Sequence, residues 1–144
     1  MAGKPQIQYL NTDLDLVSNQ SLDSLCQEMI SQGLCGHVTP GDDGLHYAMF
    51  EDHNDDVPEP NIVKLLDALD NLSQDATNVL RKCSNIEFNI GYDCGDEPWS
   101  FNQGISNESL RRMAEHGASL RVTIYPYIPP GDPRIKHTDL TGDD

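Results

Sequence analysis

The sequence predicts an α+β domain whose mostly antiparallel sheet of about six strands carries helices on one face. Three observations predict this class. Apolar residues recur at helical spacing in some segments and alternate with polar residues in others. Segments dense in Gly, Pro, Asn and Asp separate these patterns and are typical of turns. The length of 144 residues suits one core, so we expect a single domain over residues 1–128.

The first half predicts one strand, one helix and one hairpin. Ile7 and Tyr9 begin a strand that runs into an acidic stretch. A helix follows and ends near Gly33, with Ser21 or Asn19 as its cap. Its apolar stripe consists of Leu22, Leu25, Cys26, Met29 and Ile30. Residues 34–39 and 45–50 then have the pattern of two strands on either side of a Gly- and Asp-rich turn, which predicts a β-hairpin.

The second half predicts a helical pair, two strands, a short helix and a last strand, which completes the order β-α-β-β-α-α-β-β-α-β. Pro60 suits the first turn of a helix, and Ser73 caps the next one. Residues 86–92 and 99–105 alternate as strands, and Ser106 caps the short helix. The last strand carries Leu120, Val122 and Ile124. The proline-rich acidic tail, residues 129–144, is expected to be loose.

Charge is the feature that bears most on function. The chain has 24 Asp and Glu against 9 Lys and Arg, a formal net charge of −15. Eleven of the acids lie in the first sixty residues, where Lys4 is the one basic residue. Such a charge repels nucleic acid and anionic membranes, and it attracts a basic protein. The chain lacks a signal-peptide core, a membrane-length apolar run and a CxxC pair, so we expect a reducing cytoplasm.

The charge favours a non-enzymatic interaction protein over an enzyme. A magnitude of about 2–8 is enough to keep a small domain soluble, and the excess here indicates a cationic partner that gains steering and on-rate. The candidate contact residues flank the predicted hairpin: Asp42, Asp43, Glu51, Asp52, Asp55, Asp56 and Glu59. An interaction protein of this kind requires no cofactor.

The alternative function is a divalent-metal-binding domain or metal-assisted hydrolase. Asp93, Asp96 and Glu97 lie in a glycine loop after a strand and offer oxygen ligands to Ca²⁺ or Mg²⁺. Asp13 and Asp15, expected at the end of the first strand, would contribute if the two strands were neighbours. A solvated turn anchored in the core by Trp99 explains the same residues without a metal. Trp99 and Phe101 could also line the bottom of a small-ligand pocket.

Two further groups of side chains have the residue types of a metal site or a nucleophile. Cys35 and His37 share a strand face, and His46 across the hairpin would complete a soft-metal trio, although exposed strand histidines are commoner than metal sites and explain the same residues. Cys94 is a poor nucleophile, because acidic neighbours suppress the thiolate. The sequence contains no Gly-x-Ser-x-Gly, no His-Glu-x-x-His and no phosphate-binding glycine loop. Whether the chain is an enzyme is therefore open at this point.

Three segments resemble a family of small uncharacterised bacterial proteins. They are YLNTDLDL (9–16), EFNIGYDCGDEPWSFNQGIS (87–106) and GASLRVTIY (117–125). The resemblance covers about Ile7 to Pro126 and implies no activity. A fainter similarity to immunity-type domains of bacterial toxin systems rests on a strand, a short helix and a small-residue turn into a final strand. It implies an immunity protein that neutralises a basic toxin.

Overall fold

The computed structural model describes residues 5–52 and 55–133. Five strands and four helices are formed there, in the order β1 (Gln8–Ser18), α1 (Asp23–Ser31), β2 (Cys35–Pro40), β3 (His46–Glu51), α2 (Pro58–Asp70), α3 (Gln74–Arg81), β4 (Asn85–Asp93), α4 (Asn107–Glu115) and β5 (Ser119–Tyr125). The α+β class is confirmed. Of the predicted tail, residues 129–133 form no helix or strand, and residues 134–144 lie outside the described part.

The strands form one sheet in the order β2-β3-β1-β4-β5. Three neighbouring pairs are antiparallel, and β4 with β5 is parallel. A parallel pair needs a crossover connection, and the segment 94–118 with α4 supplies it. The central strand is β1: residues 13–18 pair with β3, and residues 8–17 pair with β4, with a register shift between Tyr9 and Asn11.

Helices and sheet meet in one core on one side of the sheet, which we call the helix-covered face. The strands contribute alternate residues, including Leu14, Phe50 and Phe88, each fully buried. The helices contribute the apolar stripes seen in the sequence, including Leu25 and Leu65. Each fully buried side chain of this size is worth about 1.5–3 kcal/mol. Burial of the two periodic patterns against each other therefore accounts for the architecture.

The prediction of about six strands is wrong by one. Residues 99–105 alternate in the sequence but form no strand. Both edges of β4 are already occupied, by β1 and by β5, so a following strand has no free ladder beside it. The idea that Trp99 anchors this segment in the core is also wrong, because Trp99 is 99% exposed.

The serine caps predicted for two helices are confirmed, and each is reinforced by a glutamate from elsewhere. Ser73 Oγ accepts a bond from the amide of Ala76 at the start of α3. The Glu28 carboxylate accepts from the backbone amide of Ser73 at 2.8 Å and from its hydroxyl at 2.6 Å. Glu59 accepts from the amide and hydroxyl of Ser106 in the same way. These bonds dock α3 to α1 and α4 to α2.

Candidate functional site: the open face of the sheet

All four described helices pack on the helix-covered face, which leaves the other side of the sheet, the open face, without a helix layer. Side chains alternate along a strand, so the residues between the core positions point to the open face. Its central part consists of Asn11, Asp13, Asp15, Glu51, Glu87, Asn89 and Arg121. Four of these seven residues are acidic and one is basic.

Asp13 and Glu51 form the first acidic pair of the open face. The two residues lie directly opposite each other in the antiparallel pairing of β1 with β3. Burial raises the pKa of Asp13 to about 7, and repulsion by Glu51 and a hydrogen bond to it add to the effect. The Asn11 amide donates to Asp13 Oδ1 at 3.1 Å and to Glu51 Oε2 at 3.0 Å. Near neutral pH Asp13 is therefore protonated in part of the molecules, which reduces the repulsion between the two carboxyl groups.

Asp15 and Glu87 form the second acidic pair, on the other side of β1. They are opposite each other in the pairing of β1 with β4. Burial and the charge of Glu87 raise the pKa of Asp15, while Arg121 lowers it. Arg121 donates to Glu87 through Nε at 2.7 Å and Nη2 at 3.2 Å. One guanidinium group thus balances one carboxylate of this pair.

Like charges that face each other across neighbouring strands destabilise a sheet. The open face contains two such pairs in adjacent rows and one cation to offset them. An approaching Lys or Arg side chain would meet carboxylates already fixed by the sheet, with little ordering cost.

The structure distributes the predicted contact residues over several surfaces. Asp42 and Asp43 lie exposed in the β2–β3 turn, where Asp43 Oδ2 accepts from the Tyr47 hydroxyl at 2.5 Å. That bond and one from the Leu45 amide lower the pKa of Asp43. Asp55 and Asp56 lie exposed before α2. Of the predicted set, Glu51 belongs to the open face.

The remaining two contact candidates have structural partners. Asp52 is 4% exposed, and its Oδ1 lies 3.4 Å from Nζ of Lys64. Glu59 lies in the first turn of α2 and also accepts from the Ser109 hydroxyl. Burial favours a higher pKa for Glu59, but the bonds from Ser109 and Ser106 outweigh it and lower that pKa. These two carboxylates stabilise the fold rather than present a free surface.

The loop proposed as a metal site is fixed by backbone contacts. The Asp96 amide donates to the Pro5 carbonyl at 3.1 Å, and the Glu97 carbonyl accepts from Ile7 at 2.8 Å. A Cβ at Gly95 would lie 2.5 Å from the backbone carbon of Gln6, so the two segments are in close contact. Within residues 5–52 and 55–133, no three His, Cys, Asp or Glu side chains form a group able to hold a metal ion.

The expected convergence of Asp13 and Asp15 with this loop does not occur. Both residues lie in the middle of β1, not at its end. Asp13 is opposite Asn89, four residues from Asp93, which at about 3.3 Å per residue is about 13 Å along the strand. The soft-metal trio is also separated, because His37 is opposite Met49 on the open side and His46 points to the helix-covered side.

All four cysteines are free: Cys26 is buried, Cys83 is half-buried, and Cys35 and Cys94 are exposed. Burial raises the pKa of Cys83 to about 11, so that thiol is unreactive. Of the proposed ligand-pocket pair, Phe101 lines a cavity and Trp99 points into solvent. Phe101 is held there by an edge contact with Tyr92 at 5.6 Å between ring centroids.

Sequence reasoning missed four members of the open face: Asn11, Glu87, Asn89 and Arg121. A signal was present for Glu87, since it alternates with Ile86 and Phe88 and so had to face away from the core. Pairing Glu87 with Asp15 and Arg121 required the strand order, which places β1 and β5 on the two sides of β4. That order depends on long-range contacts and is not written in local periodicity.

Comparisons of the chain with protein-family models, with curated proteins and with solved structures found no match. Of the described helices, none has the length and apolar character needed to cross a membrane. The longest of them, α2, has 13 residues.

Proposed function

We propose that this chain is a non-enzymatic acidic binding domain whose open face engages a basic protein. The observation that carries the proposal is the pair of facing carboxylates in two adjacent rows, Asp13 with Glu51 and Asp15 with Glu87, with Arg121 as the one cation among them. A partner's Lys or Arg side chains placed between these carboxylates would offset their mutual repulsion, and the sheet already holds the carboxylates in position.

The electrostatics of the open face support this choice over the exposed turn acids. The raised pKa values of Asp13 and Asp15 indicate that the isolated fold holds these carboxylates unfavourably. Binding of a cation lowers both pKa values and recovers that free energy. Asp42, Asp55 and Asp56 are exposed, so a partner ion pair there competes with full hydration and gains less.

The concrete form of the proposal is an immunity-type protein that binds and neutralises a basic toxin in a bacterial cell. The net charge of −15 favours fast, steered association with such a partner. The fainter similarity to immunity-type domains, an analogy in the order of strand, short helix and final strand, motivates this choice of partner. Neutralisation would follow from covering the toxin's basic surface, without chemistry by this chain.

Calorimetric titration with a soluble Lys/Ala peptide, used as the cationic probe, tests the open face directly. One variant carries Asp13→Asn, Asp15→Asn and Glu51→Gln, and its matched control carries Asn at Asp42, Asp55 and Asp56. Both variants lose three formal charges, and titration at pH 8 or above, where the Asp13 retained by the control is largely ionised, keeps long-range attraction nearly equal in the two.

We expect the open-face variant to bind the peptide at least tenfold more weakly than the control, and binding to weaken with added salt. Three partly buried ion pairs at about 0.5–1 kcal/mol each amount to that factor or more. Equal affinities for the two variants would refute a role of the open face, and salt-independent binding would refute the ionic mechanism.

A further inference from the structure

The outer strand β5 exposes its apolar side chains on the helix-covered face. Leu120, Val122 and Ile124 are 43%, 54% and 62% exposed, although each is paired in register with a core residue of β4 or with Tyr92. At the opposite edge, Val38 of β2 packs against the core. The helix layer therefore covers the β2 edge of the sheet and leaves the β5 edge uncovered.

A groove adjoins this row, and we call it the β5 groove. Its volume is about 420 Å³, and its lining includes Ile7, Tyr92, Phe101, Gln103, Val122 and Ile124. The Oε1 atom of Gln103 is buried and has no hydrogen-bond partner within the described residues. A buried acceptor without a donor is costly. The groove is therefore suited to an apolar group that carries one hydrogen-bond donor, which Oε1 would meet once the Gln103 amide turns toward the groove.

The charge around β5 differs from that of the rest of the molecule. Residues 116–131 contain no Asp or Glu, in a chain that has 24 of them in 144 residues. A basic partner gains no ion pairs at this surface. A second copy of this acidic chain, by contrast, avoids carboxylate–carboxylate contacts by approaching here. The charge pattern therefore favours a second copy over a basic protein as the occupant.

The chain also exposes a group that fits the groove. Trp99 is the single tryptophan, and it is 99% exposed, two residues before Phe101 in the groove wall. Indole is a large apolar ring with one N–H donor and no acceptor. These are the two properties that the lining and Gln103 require. A tryptophan left fully in water forgoes the burial that makes this residue an interface anchor.

We infer that β5 and the β5 groove form the interface of a homodimer. The two β5 strands pair antiparallel about a two-fold axis, and Trp99 of each copy enters the groove of the other, where its indole donates to Gln103. Pairing centred on Val122 sets Leu120 opposite Ile124 and Arg121 opposite Thr123. The apolar rows of the two copies then become one continuous surface, as an isologous interface requires.

Sedimentation velocity of the full chain over a wide concentration range, followed in parallel by tryptophan emission, tests the inference. We expect a monomer–dimer equilibrium in which the emission shifts to shorter wavelength as the dimer forms. Added salt should strengthen the dimer, because it screens repulsion between two acidic chains. This dependence is opposite in sign to that expected at the open face, so the two proposals fail separately.

Two substitutions of the same type locate the interface. Ile124→Glu adds a charge to the β5 row, and Ile30→Glu adds the same charge to a 46% exposed position on α1, which packs over the other edge of the sheet. We expect the first to weaken dimerisation at least tenfold and the second to leave it unchanged. Trp99→Phe keeps an aromatic ring without the donor and should weaken the dimer several-fold.

Three outcomes would overturn the inference. One is a chain that stays monomeric at every concentration, as expected if the groove binds a small molecule or a foreign peptide. Another is a dimer in which the emission remains that of a hydrated indole. The third is a dimer equally sensitive to both glutamate substitutions. Circular dichroism of each variant confirms that the fold is retained before the comparison is made.

Discussion

Replacement of Asp13 by Asn tests the physical account of the open face without any partner. The substitution keeps the shape of the side chain and removes its charge. The new amide can still accept from Asn11 and can donate to Glu51, so the bonds around the pair are preserved. The variant therefore isolates the cost of ionising Asp13 in the native protein.

The sign and size of this cost follow from the pKa of Asp13, which rises from 3.8 to about 7 on folding. Between these values the native state holds a proton that the unfolded chain has lost, so stability falls as the pH rises. Taken in full, the difference corresponds to about 4 kcal/mol. Solvent reaches part of this carboxyl group, and screening reduces the figure to about 1–2 kcal/mol.

Urea unfolding of the wild type and Asp13→Asn at pH 5 and pH 8 measures the effect. We expect the variant to be the more stable protein at pH 8, by about 1–2 kcal/mol. Its advantage at pH 5 should be smaller by about 1 kcal/mol, because native Asp13 is protonated there. Asp42→Asn, which removes the same charge from the exposed turn, should change stability by less than about 0.5 kcal/mol. An advantage that is independent of pH, or a variant less stable at pH 8, would refute the reasoning.

Three further substitutions test contacts that hold the fold, each by urea unfolding at pH 7. Glu28→Gln weakens the carboxylate cap of α3 and should cost about 0.5–1 kcal/mol, while an unchanged midpoint would contradict that role. Arg112→Met removes the ion pairs to Asp70 at 2.7 Å and to Asp67 at 2.8 Å, and it should cost about 1 kcal/mol, less at high salt. Gly95→Ala forces a Cβ against the backbone of residue 6 and should cost about 1–3 kcal/mol. Gly104→Ala, with no atom within 4 Å, is its control and should be neutral.

The sequence was sufficient for the elements whose patterns are buried on one side. The alternation of Ile86, Phe88 and Ile90 in β4 is present as predicted, and so is the stripe of α1 apart from Ile30, which is 46% exposed. The same rule failed at residues 99–105, where apolar and polar residues alternate but the preceding strand, β4, already has a neighbour on both sides. It also gave β5 correctly as a strand while leaving unpredicted that Val122 is exposed. Pairing and coverage depend on the whole fold, and local periodicity does not contain them.

For the candidate site, the sequence predicted the character of the surface but not its location. The acidic excess is a property of composition and needed no structure. Asp42 and Asp43 were predicted as contact residues because they are adjacent in the sequence and lie in a turn. Asp15 and Glu87 are 72 positions apart and meet because β1 and β4 are neighbours. The register of strand pairing decides which carboxylates face each other, and that register is set by contacts between residues far apart in the sequence.

The most direct test of the central claim is a map of the amide resonances that move when the Lys/Ala peptide is added to the labelled protein. Binding at the open face predicts that the largest shifts fall in β1, β3 and β4, at and beside Asp13, Asp15 and Glu51, and that they disappear at high salt. Largest shifts confined to the turn at residues 41–44 and the segment 55–57, with β1 unmoved, would contradict the claim.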